Sequence, residues 1–202
     1  MNKQQEPALP PNVILPPGQQ LVAPGKWPLV GERKPAARKG PWIIRIDGLV
    51  EKPLTWTLDE LAGQPQQELV VDIHCVTRWT KPGVRFGGVL LERLLEEACP
   101  LADAKFLSFV AHSHRNHSTS LPIADALRLK TLIATACEEK PLSSEHGGPV
   151  RVIVPGRYFY KSLKWLTRIE LLAEDRLGYW EAEAGYHNTA DPDLEQRYIA
   201  AS

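Results

Sequence analysis

The sequence predicts an α+β fold with a mostly β core and short helices. Three observations carry this. Short runs rich in Val, Ile and Phe recur along the chain, as in Leu69–Ile73 and Val150–Val154. Helical apolar spacing appears between them irregularly rather than after every strand. No internal repeat is visible.

Residues 1–41 are rich in Pro, Gly and Gln and read as an irregular N-terminal arm before a domain over 42–202. Trp27, Leu29 and Val30 are its expected docking points. Arg33, Lys34, Arg38 and Lys39 form a basic cluster, either a solvated face or a contact for an anionic cofactor. Trp42–Asp47 is a strand, ended by the turn at Gly48, and Pro53–Trp56 is a second short one. Thr57-Leu58-Asp59-Glu60 has capping-box spacing, and Gly63 stops that helix. Leu69–Ile73 is a buried strand running to Cys75. Gly87-Gly88 opens a helix with Leu90, Leu91, Leu94, Leu95 and Ala98 on one face, ended by Pro100.

Phe106–Ala111 is a strand, followed by a polar loop over His112–Ser120. Pro122 opens a short helix through Leu129, and Leu132–Ala136 is a strand. A loop over Glu138–Gly148 leads to the strand Val150–Val154, and Pro155-Gly156 turns the chain. Ile169–Leu172 is the last clear strand.

The chain has 202 residues and a formal net charge of zero, so no global field draws it to nucleic acid or anionic lipid. No apolar run is long enough to span a membrane. Met1–Pro7 contains no apolar signal-peptide core, so a cytoplasmic location is expected. Cys75, Cys99 and Cys137 are far apart and form no CxxC pair, which disfavours a disulfide framework or a paired-cysteine zinc site. Cys99 and Cys137 end apolar elements and read as core or edge thiols.

Three constellations bear chemistry. Cys75 ends an apolar strand where a loop opens, so it is a nucleophile, a soft-metal ligand or a buried small apolar group. A nucleophile needs a base, and His74 points to the opposite strand face. His112, His114 and His117 form a loose zinc-like cluster or a polar loop. His146-Gly147-Gly148-Pro149-Val150-Arg151 precedes a strand, and Ser162-Leu163-Lys164 follows the next turn. The glycines permit close backbone approach. Arg151 offers a planar fork, Lys164 a point charge and Ser162 a hydroxyl, together an anion cradle.

These segments resemble the sulfite oxidase-type molybdopterin oxidoreductases. Cys75-Val76-Thr77-Arg78-Trp79, His146–Gly156, Lys161–Leu166, Gly178-Tyr179-Trp180-Glu181 and Gly185-Tyr186-His187-Asn188 stand in that family's order, from about Trp42 to Tyr198. The resemblance implies the sulfite oxidase-type fold and a molybdenum–molybdopterin cofactor (Mo-MPT), with Cys75 as metal ligand. It places His146, Arg151, Ser162, Leu163 and Lys164 on the pterin and its phosphate, with His112 near them. Tyr186 is implied near the metal, Trp79 resembles the tryptophan of the bacterial sulfoxide-reductase branch, and Arg78 would guide an anionic substrate. Oxygen-atom transfer to or from a small substrate heteroatom is the implied activity. The arginine pattern of true sulfite oxidases is replaced by Thr77-Arg78-Trp79. With no haem, flavin or iron–sulfur motif, a separate electron donor or acceptor protein is expected. A cysteine- or zinc-dependent hydrolase and a non-catalytic binding module are the alternatives.

Overall fold

The computed structural model describes residues 14–199; expectations for 1–13 and 200–202 lie outside the described residues. In chain order the strands are β1 (Gln20–Leu21), β2 (Ile43–Gly48), β3 (Leu54–Thr57), β4 (Gln67–His74), β5 (Trp79–Leu90), β6 (Phe106–Ala111), β7 (Ser118–Pro122), β8 (Leu132–Cys137), β9 (Lys140–Pro141), β10 (Arg151–Ile153) and β11 (Leu166–Leu172). The helices are α1 (Leu58–Ala62), α2 (Leu91–Ala98), α3 (Ile123–Arg128) and α4 (Tyr179–Ala184).

The strands form two sheets. One has the order β1-β5-β8-β10, with β4 also on β5 and β9 on β8; the other is β3-β2-β11-β6-β7. Pairing is mostly antiparallel, with β1–β5 and β2–β11 parallel. This is the mixed, mostly β architecture the pattern predicts. The main core takes Ile44, Ile46, Leu107, Phe109 and Ile169 from one sheet and Val89, Ile133 and Val152 from the other. Leu91, Leu94, Leu95 and Ala98 of α2 complete it. Each Val, Leu, Ile or Phe among them contributes about 1.5–3 kcal/mol by leaving water. A smaller cluster around Ile73, Phe86, Leu132 and Ile153 supports the site side of the molecule, with Trp27 and Phe159 packed on it.

The arm is irregular apart from β1, which adds to the start of β5 through Gln20↔Trp79 and Leu21↔Thr80. Trp27 docks as expected, whereas Leu29 and Val30 are exposed, at 61% and 40%. The basic cluster turns outward: Lys34 pairs with Glu145 and Arg38 lies over Trp42.

The capping box of α1 is present in both directions, Thr57 with Glu60. The Leu69–Ile73 run is less buried than its composition predicts, because β4 pairs only with β5; Val70 is 63% exposed. Gly87-Gly88 does not open a helix. It lies in β5 at a register shift against β8, where a Cβ on Gly88 would stand 2.1 Å from the Ile133 carbonyl oxygen. The glycine allows that backbone approach, so the helix waits until Leu91. The first half of β5 is hidden in the sequence by Pro82-Gly83; it bulges opposite Asp72, whose Oδ1 accepts the Gly83 amide at 2.8 Å. The second half of the expected polar loop folds as β7.

Candidate active site

Cys75 occupies the hairpin turn between β4 and β5. The Cys75 amide donates to the Trp79 carbonyl at 2.8 Å and the Arg78 amide to the Cys75 carbonyl at 3.0 Å, with Arg78 at φ 74°. The turn is clamped from both chain ends. Gln19 Nε2 donates to the Cys75 carbonyl at 3.0 Å, and Arg197 donates to the carbonyls of Val76 at 2.8 Å and Pro17 at 3.0 Å. Cys75 Sγ lies 3.0 Å from Thr77 Oγ1. Burial raises the thiol pKa, more than Thr77, Arg197 and Lys164 lower it. A free cysteine in this state is a poor nucleophile. His74 offers no base, because its Nδ1 is engaged by Thr80 at 2.9 Å.

Cys75 lines a cavity of about 120 Å³. Trp79 and Tyr186 line it with Cys75, and so do His146, Arg151, Ser162, Leu163 and Lys164. Segments more than a hundred positions apart thus meet at one hollow. Arg78 and His112 do not line it. Arg78, turned outward by its left-handed backbone, sits 3.4 Å from Glu195. His112 lies 3.3 Å from the Ala36 carbonyl, edge-on to Trp42. The histidine cluster does not converge, since His114 is exposed and His117 turns to Glu32. Among the described residues no group of three or more His, Cys, Asp or Glu is placed to hold a metal ion.

Arg151 is 1% exposed. Its guanidinium donates to the carbonyls of His146 at 2.7 Å and Ser162 at 2.5 Å, lies over Phe159, and leaves Nε without a partner. Lys164 Nζ donates to the carbonyls of Val30 at 3.2 Å and Glu145 at 3.4 Å. Burial lowers the Arg151 pKa to about 9; burial and then Arg151 lower that of Lys164 to about 8. His146 falls to about 4 through burial, Arg151 and Lys164. Ser162 Oγ accepts the Val154 amide at 2.9 Å. The glycines of the cradle do not open it to a ligand. A Cβ on Gly147, at φ 99°, would stand 2.8 Å from Lys164, so its space is already taken by the chain.

Neither cation has a carboxylate in salt-bridge range among the described residues, Glu32 and Glu145 lying closest to His117 and Lys34. A buried guanidinium and a half-buried ammonium, each hydrogen-bonded only to carbonyl oxygens, form a site suited to an anion. A pterin phosphate would supply that charge, and the Cys75 thiol is a soft donor of the kind molybdenum takes. The donor set fits molybdopterin.

The comparisons with known proteins agree. Residues 32–180 match the family model described as the oxidoreductase molybdopterin binding domain. The chain belongs to this family. Its members bind molybdopterin and are enzymes, so this chain is a molybdopterin-dependent oxidoreductase. It is 35% identical over 157 residues to the uncharacterized oxidoreductase YuiH of Bacillus subtilis, covering 78% of each chain. It is 30% identical to the protein-methionine-sulfoxide reductase catalytic subunit MsrP of Campylobacter jejuni and 28% to that of Xanthomonas axonopodis. Those matches cover 76% and 77% of this chain but 58% and 53% of the MsrP proteins, so it spans just over half their length. The sulfane dehydrogenase SoxCD from Paracoccus pantotrophus shares the fold, with a TM-score of 0.65 at 24% identity, over 72% of this chain and 41% of that one.

Several cavity residues are not marked as cavity wall by the sequence: Trp27 and Glu32 from the arm, His117, Phe159, Tyr160 and Trp180. Trp27 was legible as a docking aromatic but not as cavity wall.

Proposed function

We propose that this molybdopterin oxidoreductase transfers an oxygen atom from a small uncharged sulfoxide, using electrons from a separate donor protein. One observation carries the reading: Cys75 shares a single cavity with the buried Arg151 and the half-buried Lys164. Cys75 would hold the metal, its thiol proton lost on coordination. Arg151, Lys164, Ser162, Leu163 and His146 would hold the pterin and its phosphate. When bound, the cofactor supplies a metal that exchanges two electrons and an oxygen atom with substrate.

The protein's own groups favour the uncharged substrate. Tyr186 packs against Tyr160, centroids 4.9 Å apart, and stacks on Trp180 at 5.8 Å. This aromatic wall suits thioether sulfur, and the printed name of the MsrP relatives also points to a sulfoxide. Arg78, the cation beside the cysteine in sequence, is engaged by Glu195 and does not line the cavity, which disfavours a sulfite-like anion. Tyr186 would orient the substrate oxygen through its hydroxyl, and Thr77 would donate to the Cys75 sulfur.

The test is to load the chain with cofactor and assay an alkyl sulfoxide with a reduced dye, and sulfite with an oxidised one. We expect sulfoxide turnover and about one molybdenum per chain. Cys75→Ser should abolish both while circular dichroism stays native. Retained metal and turnover in that variant, or turnover of sulfite alone, would overturn the reading.

A further inference from the structure

Three polar side chains stand together beside the cavity without a role in the reading above. His117 is 3% exposed. Its Nδ1 lies 3.1 Å from Ser113 Oγ and its Nε2 2.9 Å from Glu32 Oε2. The second contact is short but bent, so that Nε2 has no aligned acceptor. His117 and Glu32 both line the Cys75 cavity. Ser113 is half-buried on a turn whose tip, His114 to Asn116, is exposed. Its hydroxyl also accepts the His117 amide at 2.9 Å, which fixes its position. Tyr179 and Trp180 hold the ring, with centroids 4.1 Å and 5.3 Å away.

The arrangement therefore leads from a hydroxyl near solvent, through an imidazole with one nitrogen on each side, to a carboxylate in the cavity wall. An imidazole takes a proton at one nitrogen and releases another from its second nitrogen. We propose that Ser113, His117 and Glu32 form the path by which protons enter the active site, with His117 as the relay. The proposal rests on the sulfoxide-reducing reading, because that reaction consumes protons. The sulfur–oxygen bond breaks, sulfur gains two electrons from the donor protein, and the oxygen leaves as water after taking up two protons. The path delivers these in succession from solvent.

The surrounding charges suit a relay. Burial lowers the His117 pKa, Glu32 raises it and Arg115 lowers it again, while Lys164 is the cation coupled to Glu32 from the opposite segment. The imidazole is thus kept from holding its proton permanently. Tyr179 adds only its ring face and accepts from Arg115 at 3.3 Å.

The experiment uses the molybdenum-loaded full chain and its His117→Gln, Glu32→Gln and Ser113→Ala variants, with a reduced dye and an alkyl sulfoxide. His117→Gln should lower kcat above neutral pH by about 10²-fold, with KM and molybdenum content unchanged. In His117→Ala, which leaves the space of the ring empty, free imidazole should restore part of the loss, as a purely structural role would not allow. Ser113→Ala, at a half-buried position, should show a smaller fall in kcat. In the cofactor-free protein, NMR titration should show the His117 pKa falling in Glu32→Gln, which removes the carboxylate that raises it. An unchanged kcat, a loss without imidazole rescue, a parallel loss of molybdenum, or a His117 titration indifferent to Glu32→Gln would each overturn the relay. Wild-type turnover separates the two readings. An enzyme that leaves the sulfoxide untouched overturns the parent reading and the relay with it, whereas sulfoxide turnover with an unchanged kcat in His117→Gln overturns the relay alone.

Discussion

Trp27 lies flat on His146, ring centroids 3.8 Å apart and planes 12° from parallel. An arm residue thereby covers a residue of the anion cradle more than a hundred positions away. The stack contributes about 0.5–1.5 kcal/mol beyond the area it buries. It also removes water from an imidazole that already faces two cations.

That environment gives the cofactor-free protein a pH dependence. The folded-state pKa of His146, about 4, lies below its ordinary value of 6.5. The associated stability is therefore complete above pH 6.5 and is lost as pH falls towards 4. Urea unfolding across this window should show wild type losing on the order of 1–2 kcal/mol more than His146→Gln, allowing for solvent screening of a half-exposed ring. Burial lowers His74 and His117 in the same direction, so a residual slope should survive in the variant. Equal slopes in the two proteins would show that His146 is not the group responsible.

Arg151 and Lys164 share one cavity but should fail differently. Arg151 joins two loops through the His146 and Ser162 carbonyls, so Arg151→Met removes two charge-assisted bonds at about 1.5–3 kcal/mol each. It should destabilise even the cofactor-free chain. Lys164 makes longer contacts, at 3.2 and 3.4 Å, and Lys164→Met should lower molybdopterin occupancy with little change in the urea midpoint of the cofactor-free protein. Paired denaturation and molybdenum analysis decide it. A fully stable Arg151→Met protein would show that the guanidinium serves only the ligand.

Lys161 and Glu181 form an ion pair with neither side chain exposed, 2.5 Å apart. Lys161 also donates to the Ser120 carbonyl and Asn188 Oδ1, each at 3.0 Å, and Glu181 accepts from Thr119 at 2.7 Å. The pair ties the segment before Ser162 to α4 and to the Tyr186–Asn188 stretch. Removing one partner leaves a buried charge alone, so Lys161→Met or Glu181→Leu should each cost about 3–5 kcal/mol. The double variant should cost less than either single change. Additive losses in that double-mutant cycle would contradict the pairing.

The sequence by itself determined the elements whose signal is local. The apolar alternation of Ile44 and Ile46, the Thr57–Glu60 capping box and the α2 face follow from contacts within a few positions, and all three are present. The cysteine and the anion-binding segments were legible because their residue types are restricted by chemistry. Tertiary structure alone decided which of them meet. Arg78 and Trp79 are neighbours in the chain, yet the hairpin turn sends one to Glu195 and the other into the cavity. His112 and His117 look alike in the sequence, yet β7 carries only His117 to the cavity wall, through its pairing with β6. Gly88 reads as a helix start until the Ile133 carbonyl is found against it. Each of these outcomes depends on a partner far along the chain, and local patterning carries no record of distant partners.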